Sequence, residues 1–297
     1  MISCSNDVRR CRPLLGTFVE ITAASESREH VCNAVELAFA AIERVQRLMS
    51  FYEPASDVTR LNRFAARRSV AITPWTFQVL QAAERLHQDT HGTFDITVAA
   101  QLLRWGYLPA RNSPRSRKTH PTGQGAIELL PANRVRFHEP VQIDLSGIAK
   151  GFAVDKAVEA LQSAGVASGQ VNAGGDLRVF GPSPTTIHVR HPGSPGFVFP
   201  IVRISDGAFA TSAAYFSRKK WRGRWTTPLV DPLHGRSCKT GDSVSVQAPT
   251  CLAADALTKV VMVMGEQSAE ILRAYSAAGF IVNRAGEVIS TQGRDET

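Results

Sequence analysis

Two carboxylates and one amine stand at the ends of predicted elements in one short region of the sequence. Asp144 ends an apolar, β-leaning run, Lys150 opens a helical pattern, and Asp176 follows a Gly174-Gly175 turn. Loop ends are where reacting groups collect. A strand, a glycine-bearing loop with a lysine and a helix can present backbone N–H groups and a positive charge to a phosphate. The region is therefore a candidate phosphate site.

The same region also has an ordinary structural explanation. Residues 143–181 contain neither the GxxxxGK[ST] of a Walker loop nor the GxGxxG of a dinucleotide loop. A strand–helix–strand unit with turn glycines accounts for the pattern equally well at this level.

The sequence of this region resembles that of a known protein family. DLSGIAKGFAVD at 144–155 and VNAGGDLRVFG at 171–181 are similar to the central motif of the ApbE family, FAD-dependent transferases that attach FMN to other proteins. The resemblance covers residues 14–265, most of the chain. It implies an FAD:protein FMN transferase, in which a Ser or Thr hydroxyl of an acceptor protein attacks the FMN-side phosphorus of FAD. A phosphoester forms and AMP leaves.

The resemblance also implies which residues bind FAD. Tyr52 holds the position of a tyrosine that contacts the flavin, although an aromatic side chain packing a loop is the alternative without the resemblance. Thr93-Phe94-Asp95 is similar to the family's GxFDPT text, and an aromatic ring beside a carboxylate suits a ring-stacking site with a hydrogen-bond acceptor. The implied FAD-binding residues are Leu15, Tyr52, Thr93, Phe94, Asp95, Asp144, Lys150, Gly174, Gly175, Asp176 and Leu229.

The sequence departs from the family at the Mg²⁺ site that the resemblance implies. There the ion is held by a main-chain carbonyl, an Asp and a Thr four residues later. Gly147 and Asp255 fill the first two positions, but the third is Lys259, and Thr258 is one residue short. An ammonium is no ligand for Mg²⁺. Because residues four apart share a helix face, Lys259 is expected beside Asp255. Either it turns to the phosphates and a water completes the metal's shell, or it replaces part of the metal's charge. An ordinary ion pair between the two side chains is the third alternative.

The general base stays open at this stage. Family members often carry a His before an Asp-Pro pair, and here Pro228 replaces that His while Asp231-Pro232 is retained. His234 is a candidate base, a surface-loop histidine is its alternative, and metal-activated or Asp-assisted attack is not excluded. The candidate catalytic residues are Asp255, Lys259 and His234.

Composition and charge limit the remaining classes. Of the 297 residues, 43% are hydrophobic and 20% charged, the net charge is +8, and basic clusters lie at 111–118 and 218–224. The clusters carry no nucleic-acid motif, so an anionic dinucleotide or an acidic protein partner is favoured over nucleic acid. Five cysteines without CxxC pairing favour neither a disulfide framework nor a zinc site.

No membrane-spanning or export segment is predicted. No apolar run is long enough to cross a bilayer, and the start of the chain has no apolar core of signal-peptide length. Cys4 also lacks the apolar stretch that precedes the lipid-accepting Cys of exported family members. We expect a cytoplasmic protein, or a chain whose leader is missing.

Adjoining strands and irregularly spaced helices predict an α+β fold of mainly antiparallel sheets with packed helices. We expect a single domain over residues 14–291, with residues 1–13 and 292–297 as loose termini, and the resemblance implies the T-fold-like architecture of the ApbE family. Periodicity predicts helices at 28–49, 56–62, 74–90, 150–164, 252–264 and 267–278, and strands at 14–21, 127–137, 140–145, 166–171, 186–190, 197–204 and 279–283.

Two other functions would use the same site. One is an FAD pyrophosphatase, with water as the nucleophile and FMN and AMP as products. The other is a non-catalytic FAD-binding protein, which the departures at Lys259 and Pro228 favour. The sequence identifies no acceptor protein. The resemblance implies a subunit of a respiratory or redox membrane complex.

Overall fold

The computed structural model describes residues 7–25, 27–109, 125–194, 196–213, 217–238 and 242–291. Cys4, the basic cluster at 111–118 and the residues after 291 lie outside these ranges.

The helices and strands follow one another irregularly along the chain. The α-helices are α1 (Arg28–Met49), α2 (Asp57–Phe64), α3 (Pro74–Asp89), α4 (Ala99–Arg104), α5 (Ala149–Ser163), α6 (Cys251–Met264) and α7 (Ala269–Ala274), with 3₁₀ turns at Ile96–Val98 and Gly265–Ser268. The strands are β1 (Val8–Leu14), β2 (Thr17–Ala24), β3 (Val70–Ala71), β4 (Ile127–Leu130), β5 (Arg134–Phe137), β6 (Ser168–Ala173), β7 (Asp176–Phe180), β8 (Thr185–Arg190), β9 (Val198–Ile204), β10 (Gly207–Ala213), β11 (Lys219–Trp221), β12 (Arg224–Thr226), β13 (Val230–Asp231), β14 (Arg236–Ser237), β15 (Ser243–Ala248), β16 (Ala278–Val282) and β17 (Val288–Ser290).

An eight-stranded sheet organises the molecule, in the order β1-β2-β6-β7-β10-β15-β16-β17. Every neighbouring pair in it is antiparallel. Smaller sheets are β3-β5-β4 and the hairpins β8-β9, β11-β12 and β13-β14. The prediction of an α+β fold with mainly antiparallel sheets is confirmed.

The two faces of the large sheet are covered differently. Helices α1, α5 and α6 pack over one face, and α5 is buried along most of its length because apolar or small residues surround it. On the other face, Leu177 and Val179 of β7 and Phe209 of β10 pack against the β8-β9 hairpin. This follows from the strand period of two, which sends alternate side chains to opposite faces. Helices α5 and α6 carry the charged residues of the site.

The expectation that residues 1–13 are loose is wrong for residues 8–13. Val8–Leu14 is an edge strand that pairs with β2 along its whole length. Its arginines face outward, where Arg9 bonds Glu20 and Arg12 bonds Glu36, each at 2.6 Å. Charged side chains are common on edge strands. Here the arginines interrupt the apolar alternation that predicts a strand, so the sequence did not indicate β1. The predicted strand at 14–21 is the second strand of this hairpin, and Leu15-Gly16 forms the turn.

The predicted strand at 140–145 is also wrong, because this segment belongs to none of the strands in the described residues. The Asn62 side chain takes the place of a neighbouring strand: it accepts from the Ile143 N–H at 2.7 Å and donates to the Ile143 carbonyl at 2.9 Å. The next N–H, of Asp144, donates to the Ile96 carbonyl at 2.8 Å. These bonds fix Asp144 at the end of the segment, where the sequence places it. The predicted helix at 267–278 is reduced to a 3₁₀ turn and the six residues of α7.

Candidate active site

Two lysines and two aspartates form a compact charged cluster between α5, α6 and the β6-β7 turn. Lys150 pairs with Asp176, and Lys259 pairs with Oδ1 of Asp255. The same Oδ1 lies 4.0 Å from Nζ of Lys150, so Asp255 joins the two ion pairs. Asp176 and Asp255 are buried, whereas the Lys150 and Lys259 side chains are 33% and 21% exposed. The positive ends of the cluster are therefore the ones a ligand can approach.

Lys150 keeps its charge in this environment. Burial lowers the pKa of Lys150, but the charges of Asp176 and Asp255 outweigh it, so the pKa lies above its usual value. Burial would raise the pKa of Asp255, but the ammonium groups of Lys150 and Lys259 outweigh it and lower this pKa. Opposite charges at short range stabilise both ionised forms. At neutral pH the Lys150 side chain is therefore a full positive charge, paired with these carboxylates.

Close packing of α5 on α6 sets the position of this cluster. A Cβ on Gly151 would lie 2.1 Å from the Cys251 carbonyl oxygen, so only glycine permits this approach. Asp155, one helical turn further along α5, accepts from the N–H groups of Cys251 at 2.9 Å and Leu252 at 2.8 Å. It thereby caps α6 from outside, and Arg178 holds it at 2.8 Å. Sequence reasoning missed this role, although Asp155 is the last letter of the DLSGIAKGFAVD motif.

Two adjoining cavities of about 770 and 400 Å³ open beside the cluster. Their linings have Asp144, Ser146 and Lys150 in common. Cavities of this size hold small-molecule ligands, and two of them that meet at an ammonium suit a molecule with a phosphate group in its middle.

The larger cavity is lined by Leu15 and Tyr52, both predicted from the resemblance. Leu15 has a φ of 56° in the β1-β2 turn, and its N–H donates to Oε1 of Gln46 at 2.6 Å. Tyr52 is 66% exposed, and its hydroxyl donates to the Tyr107 carbonyl at 3.2 Å. Both residues thus line this cavity, and most of the Tyr52 side chain is exposed.

The smaller cavity is lined by Thr93, Phe94 and Asp95. One carboxylate oxygen of Asp95 accepts from the Thr97 N–H at 2.7 Å, while Oδ2 is buried and has no partner among the described residues. Burial raises the pKa of this carboxyl. An unsatisfied buried acceptor is costly, so Oδ2 is suited to accept a hydrogen bond from a ligand. Tyr52 and Asp95, both implied to contact FAD, lie in different cavities.

Asp144 is the only acidic residue shared by the two linings, within the part of the chain that the structure describes. Both its oxygens accept from Ser146, one from the N–H at 3.2 Å and one from the hydroxyl. Burial nevertheless raises the pKa of Asp144. The structure thus places Asp144, a carboxylate of raised pKa, in the same two linings as Lys150.

The β6-β7 turn is only partly available to a ligand. Gly174 lines the smaller cavity with a φ of 66°, and a Cβ there would lie 2.4 Å from Oγ1 of Thr17. The N–H of Gly175 is already bound to Oδ1 of Asn172 at 2.9 Å. Gly175 therefore shapes the turn that presents Asp176, and its N–H is not free to bind a phosphate.

The residues at the implied Mg²⁺ site do not fit that ion. Gly147 and Lys259 line the smaller cavity, but both oxygens of Asp255 are used, Oδ1 by Lys259 and Oδ2 by the Gly151 N–H at 3.1 Å. Within the described ranges, no three His, Cys, Asp or Glu residues are grouped as metal ligands. A carboxylate bonded to an ammonium is a poor ligand for a cation.

The two candidates from the segment around Pro228 are separated by the structure. Leu229 lines the smaller cavity together with Pro228. His234 lies in the β13-β14 turn with a 60% exposed side chain, bonds Asp231 at 2.9 Å, and is not among the described residues that line either cavity. The structure therefore brings Leu229, but not His234, to the cavities.

A basic hairpin, β11-β12, forms part of the rim of the larger cavity. Arg218 and Lys219 line the cavity, and Tyr107 links the hairpin to it by donating to the Thr226 carbonyl at 2.7 Å. The Lys220 ammonium lies 5.3 Å from the ring centre of Trp225 in the same hairpin. The sequence predicted only a basic patch at 218–224. It did not predict that this patch borders the cavity, because the contact between Tyr107 and Thr226 spans more than one hundred positions.

This combination of fold and site defines a class of protein. An antiparallel α+β fold presents two adjoining cavities of nucleotide size that meet at a permanent positive charge. The chain belongs to the ApbE family, whose sequence profile matches residues 15–281.

Relatives and solved structures agree with this membership. An FAD:protein FMN transferase of Vibrio cholerae is 31% identical, over 76% of this chain and 72% of that protein. One of Haemophilus influenzae is 27% identical, over 89% of this chain and 80% of that protein. The crystal structure of the ApbE protein of Thermotoga maritima superposes with a TM-score of 0.82 at 27% identity, covering 96% of this chain and 97% of that one. The apo flavinyl transferase ApbE of Pseudomonas stutzeri gives 0.80 at 25% identity, covering 100% and 98%.

Proposed function

We propose that this protein is an FAD:protein FMN transferase. Family membership and relatives that carry this name support the transfer of FMN from FAD to an acceptor protein. The observation that carries the proposal within this structure is the junction of the two cavities at Asp144 and Lys150. A dinucleotide has its pyrophosphate between two ring systems, and the junction would place that pyrophosphate at the Lys150 ammonium.

The chemistry that we propose is displacement at the FMN-side phosphorus. The oxygen of an acceptor Ser or Thr hydroxyl forms a P–O bond, the bond to the bridging oxygen breaks, and AMP leaves with the electron pair. Such transfers depend on positioning and on positive charge at the phosphates, and Lys150 supplies that charge. The hydroxyl proton needs an acceptor, and Asp144 is placed for it because it is the shared carboxylate and its raised pKa makes it a stronger base.

We propose a subunit of a respiratory or redox membrane complex as the acceptor. In the described residues no helix of this chain has the length and apolar character needed to cross a membrane. The exposed hairpin β11-β12 lies at the cavity mouth, where an acceptor must enter, and its positive side chains favour an acidic partner surface.

The test is incubation with FAD and purified candidate acceptor subunits, followed by denaturation. Transfer predicts flavin fluorescence that stays on the acceptor, an acceptor mass increase of FMN minus water, and release of AMP in equal amount. Acceptors with each candidate Ser or Thr replaced by Ala serve as controls and should lose the label. Free FMN with AMP would instead indicate a pyrophosphatase, and unchanged FAD with every acceptor tried would indicate a binding protein.

A further inference from the structure

Lys259 occupies the space between the two residues that were expected to hold a metal ion. Its ammonium pairs with Oδ1 of Asp255 and donates to the Asp255 carbonyl at 2.8 Å. Its Cε would lie 3.5 Å from a Cβ built on Gly147, so the side chain runs along Gly147. It also lines the smaller cavity. The positive charge is therefore fixed at its position by α6 and reachable from the cavity.

Thr258 does not replace the missing hydroxyl ligand. It is fully buried, and its hydroxyl donates to the Asp255 carbonyl at 2.7 Å. The Thr258 hydroxyl oxygen also lies 2.8 Å from the Ser212 hydroxyl oxygen. Residue 258 is about 100° around the helix from residue 259, so it faces the sheet. Thr258 thus does not restore the third ligand.

A divalent ion at Asp255 would meet two fixed positive charges. Lys259 bonds the carboxylate directly, and Lys150 lies 4.0 Å from the same oxygen. Each like charge at this range disfavours a second cation. The two lysines are balanced by Asp176 and Asp255, so the cluster is close to neutral before a ligand binds. A pyrophosphate would bring negative charge to the exposed side of these ammonium groups.

We propose that Lys259 is a built-in cation that, together with Lys150, binds the pyrophosphate of FAD in place of Mg²⁺. This inference rests on the proposed function for the identity of the ligand, FAD. A lysine supplies charge and hydrogen-bond donors without coordination geometry. The protein is therefore an FAD-binding enzyme that works without a divalent metal. The alternative is a purely structural ion pair that does not touch the ligand.

The first test uses the unmodified protein and two probes, Mg²⁺ alone and FAD. Titration calorimetry with Mg²⁺ alone should show no binding. The dissociation constant for FAD should change less than about twofold between EDTA and saturating Mg²⁺, because the positive charge is already present. Binding of Mg²⁺ to the free protein, or an FAD affinity that disappears in EDTA, would overturn the proposal.

The second test uses three variants at position 259 and one control. Lys259→Met keeps the length and removes the charge, and should weaken FAD binding about tenfold or more, the size of a lost charged hydrogen bond. Lys259→Arg should retain most of the affinity. Lys259→Thr should bind FAD weakly in EDTA and recover when Mg²⁺ is added. Lys156→Met is the control, because Lys156 also pairs with an acid on its own helix, at 2.7 Å, but lines neither cavity within the described residues.

The outcomes separate this inference from the proposed function. FAD affinity is measured without an acceptor, so metal-independent FAD binding supports the role of Lys259 even if no acceptor is ever labelled. Covalent labelling that requires Mg²⁺ would confirm the transferase and overturn the built-in cation. Lys259→Met binding FAD as tightly as the unmodified protein would show a purely structural ion pair. Should Lys259→Met not fold by circular dichroism, Lys259→Thr and the EDTA comparison still decide.

Discussion

The main-chain N–H of Gly151 in α5 donates to Oδ2 of Asp255 in α6, with 3.1 Å between the heavy atoms. The bond is possible because Gly151 has no Cβ, which would lie 2.1 Å from the Cys251 carbonyl oxygen. Backbone contact between two helices thus sets the position of the buried carboxylate. Lys259 forms an ion pair with that carboxylate, so the position of the Lys259 ammonium depends on the same helix contact.

Gly151→Ala should separate α5 from α6 and displace Asp255. Because the obstructing atoms are backbone, the helices must move, and we expect a loss of about 1–3 kcal/mol in the free energy of unfolding, typical of an overfilled core. FAD binding should weaken as well. Urea unfolding and FAD titration measure the two effects. The control is Gly196→Ala, where a Cβ would meet nothing within 4 Å; equal stability of the two variants would contradict the argument.

Leu15→Asn should separate stability from FAD binding. Leu15 has a φ of 56°, a left-handed conformation that costs a non-glycine residue about 1 kcal/mol and that Asn adopts more readily. Relief of that strain offsets the lost apolar packing, so we expect the free energy of unfolding to change by less than about 1 kcal/mol. The apolar contact in the larger cavity is lost, which should weaken FAD binding several-fold.

Thermal unfolding and flavin-fluorescence titration measure these two quantities for Leu15→Asn. Leu37→Asn is the matched control, because Leu37 is an exposed leucine on α1 that lines neither cavity within the described residues. Unchanged FAD affinity in Leu15→Asn would remove Leu15 from the binding site.

The parts of the site that sequence reasoning predicted are local in the chain. The pairing of Asp255 with Lys259 follows from a spacing of four residues on one helix. Asp144 and Lys150, which line the same cavity, lie within one sequence motif. The parts that it missed are long-range. Asn62 supports Ile143 across 81 positions, and Asp155 caps α6 across 96.

Such long-range contacts depend on how the elements pack, which the period of a single element does not reveal. The same limit applies to Tyr52 and Asp95, which the resemblance joins at one ligand but the structure places in two cavities. For the fold class, by contrast, a local signal was sufficient. Some strands follow one another directly in the chain, as β6 and β7 do, and the helices come at irregular intervals. This order is typical of an α+β fold.

Asp95→Asn should stabilise the free protein and weaken binding of the half of FAD that occupies the smaller cavity. Oδ2 of Asp95 is buried without a partner among the described residues, and replacing this buried carboxylate by a neutral amide should add about 1 kcal/mol to the free energy of unfolding. Asn can still accept from the Thr97 N–H, but it then presents an NH₂ donor where an acceptor was available. FMN and AMP titrations locate the effect: one of the two should bind more weakly and the other unchanged.

The control for this prediction is Asp206→Asn, at an exposed position between β9 and β10. It should alter neither stability nor binding. In Asp95→Asn, weaker binding of FMN would place the flavin in the smaller cavity, and weaker binding of AMP would place the adenosine there. Unchanged binding of both would remove Asp95 from the binding site.

Asp144→Asn should change the pH dependence of both binding and transfer. Burial raises the pKa of Asp144 above its ordinary value, so as the pH falls this carboxyl becomes protonated before a typical aspartate does. Ionised Asp144 repels the pyrophosphate beside Lys150 and at the same time accepts the acceptor hydroxyl's proton. Lowering the pH should therefore tighten FAD binding and slow transfer.

In Asp144→Asn, FAD binding should be tight and independent of pH, while the transfer rate should fall about a hundredfold, the size of a lost general base. FAD titrations and single-turnover labelling at a series of pH values measure both quantities. A variant that transfers FMN at the unmodified rate would exclude Asp144 as the proton acceptor, and a flat binding profile in the unmodified protein would show that its charge is not felt at the phosphates.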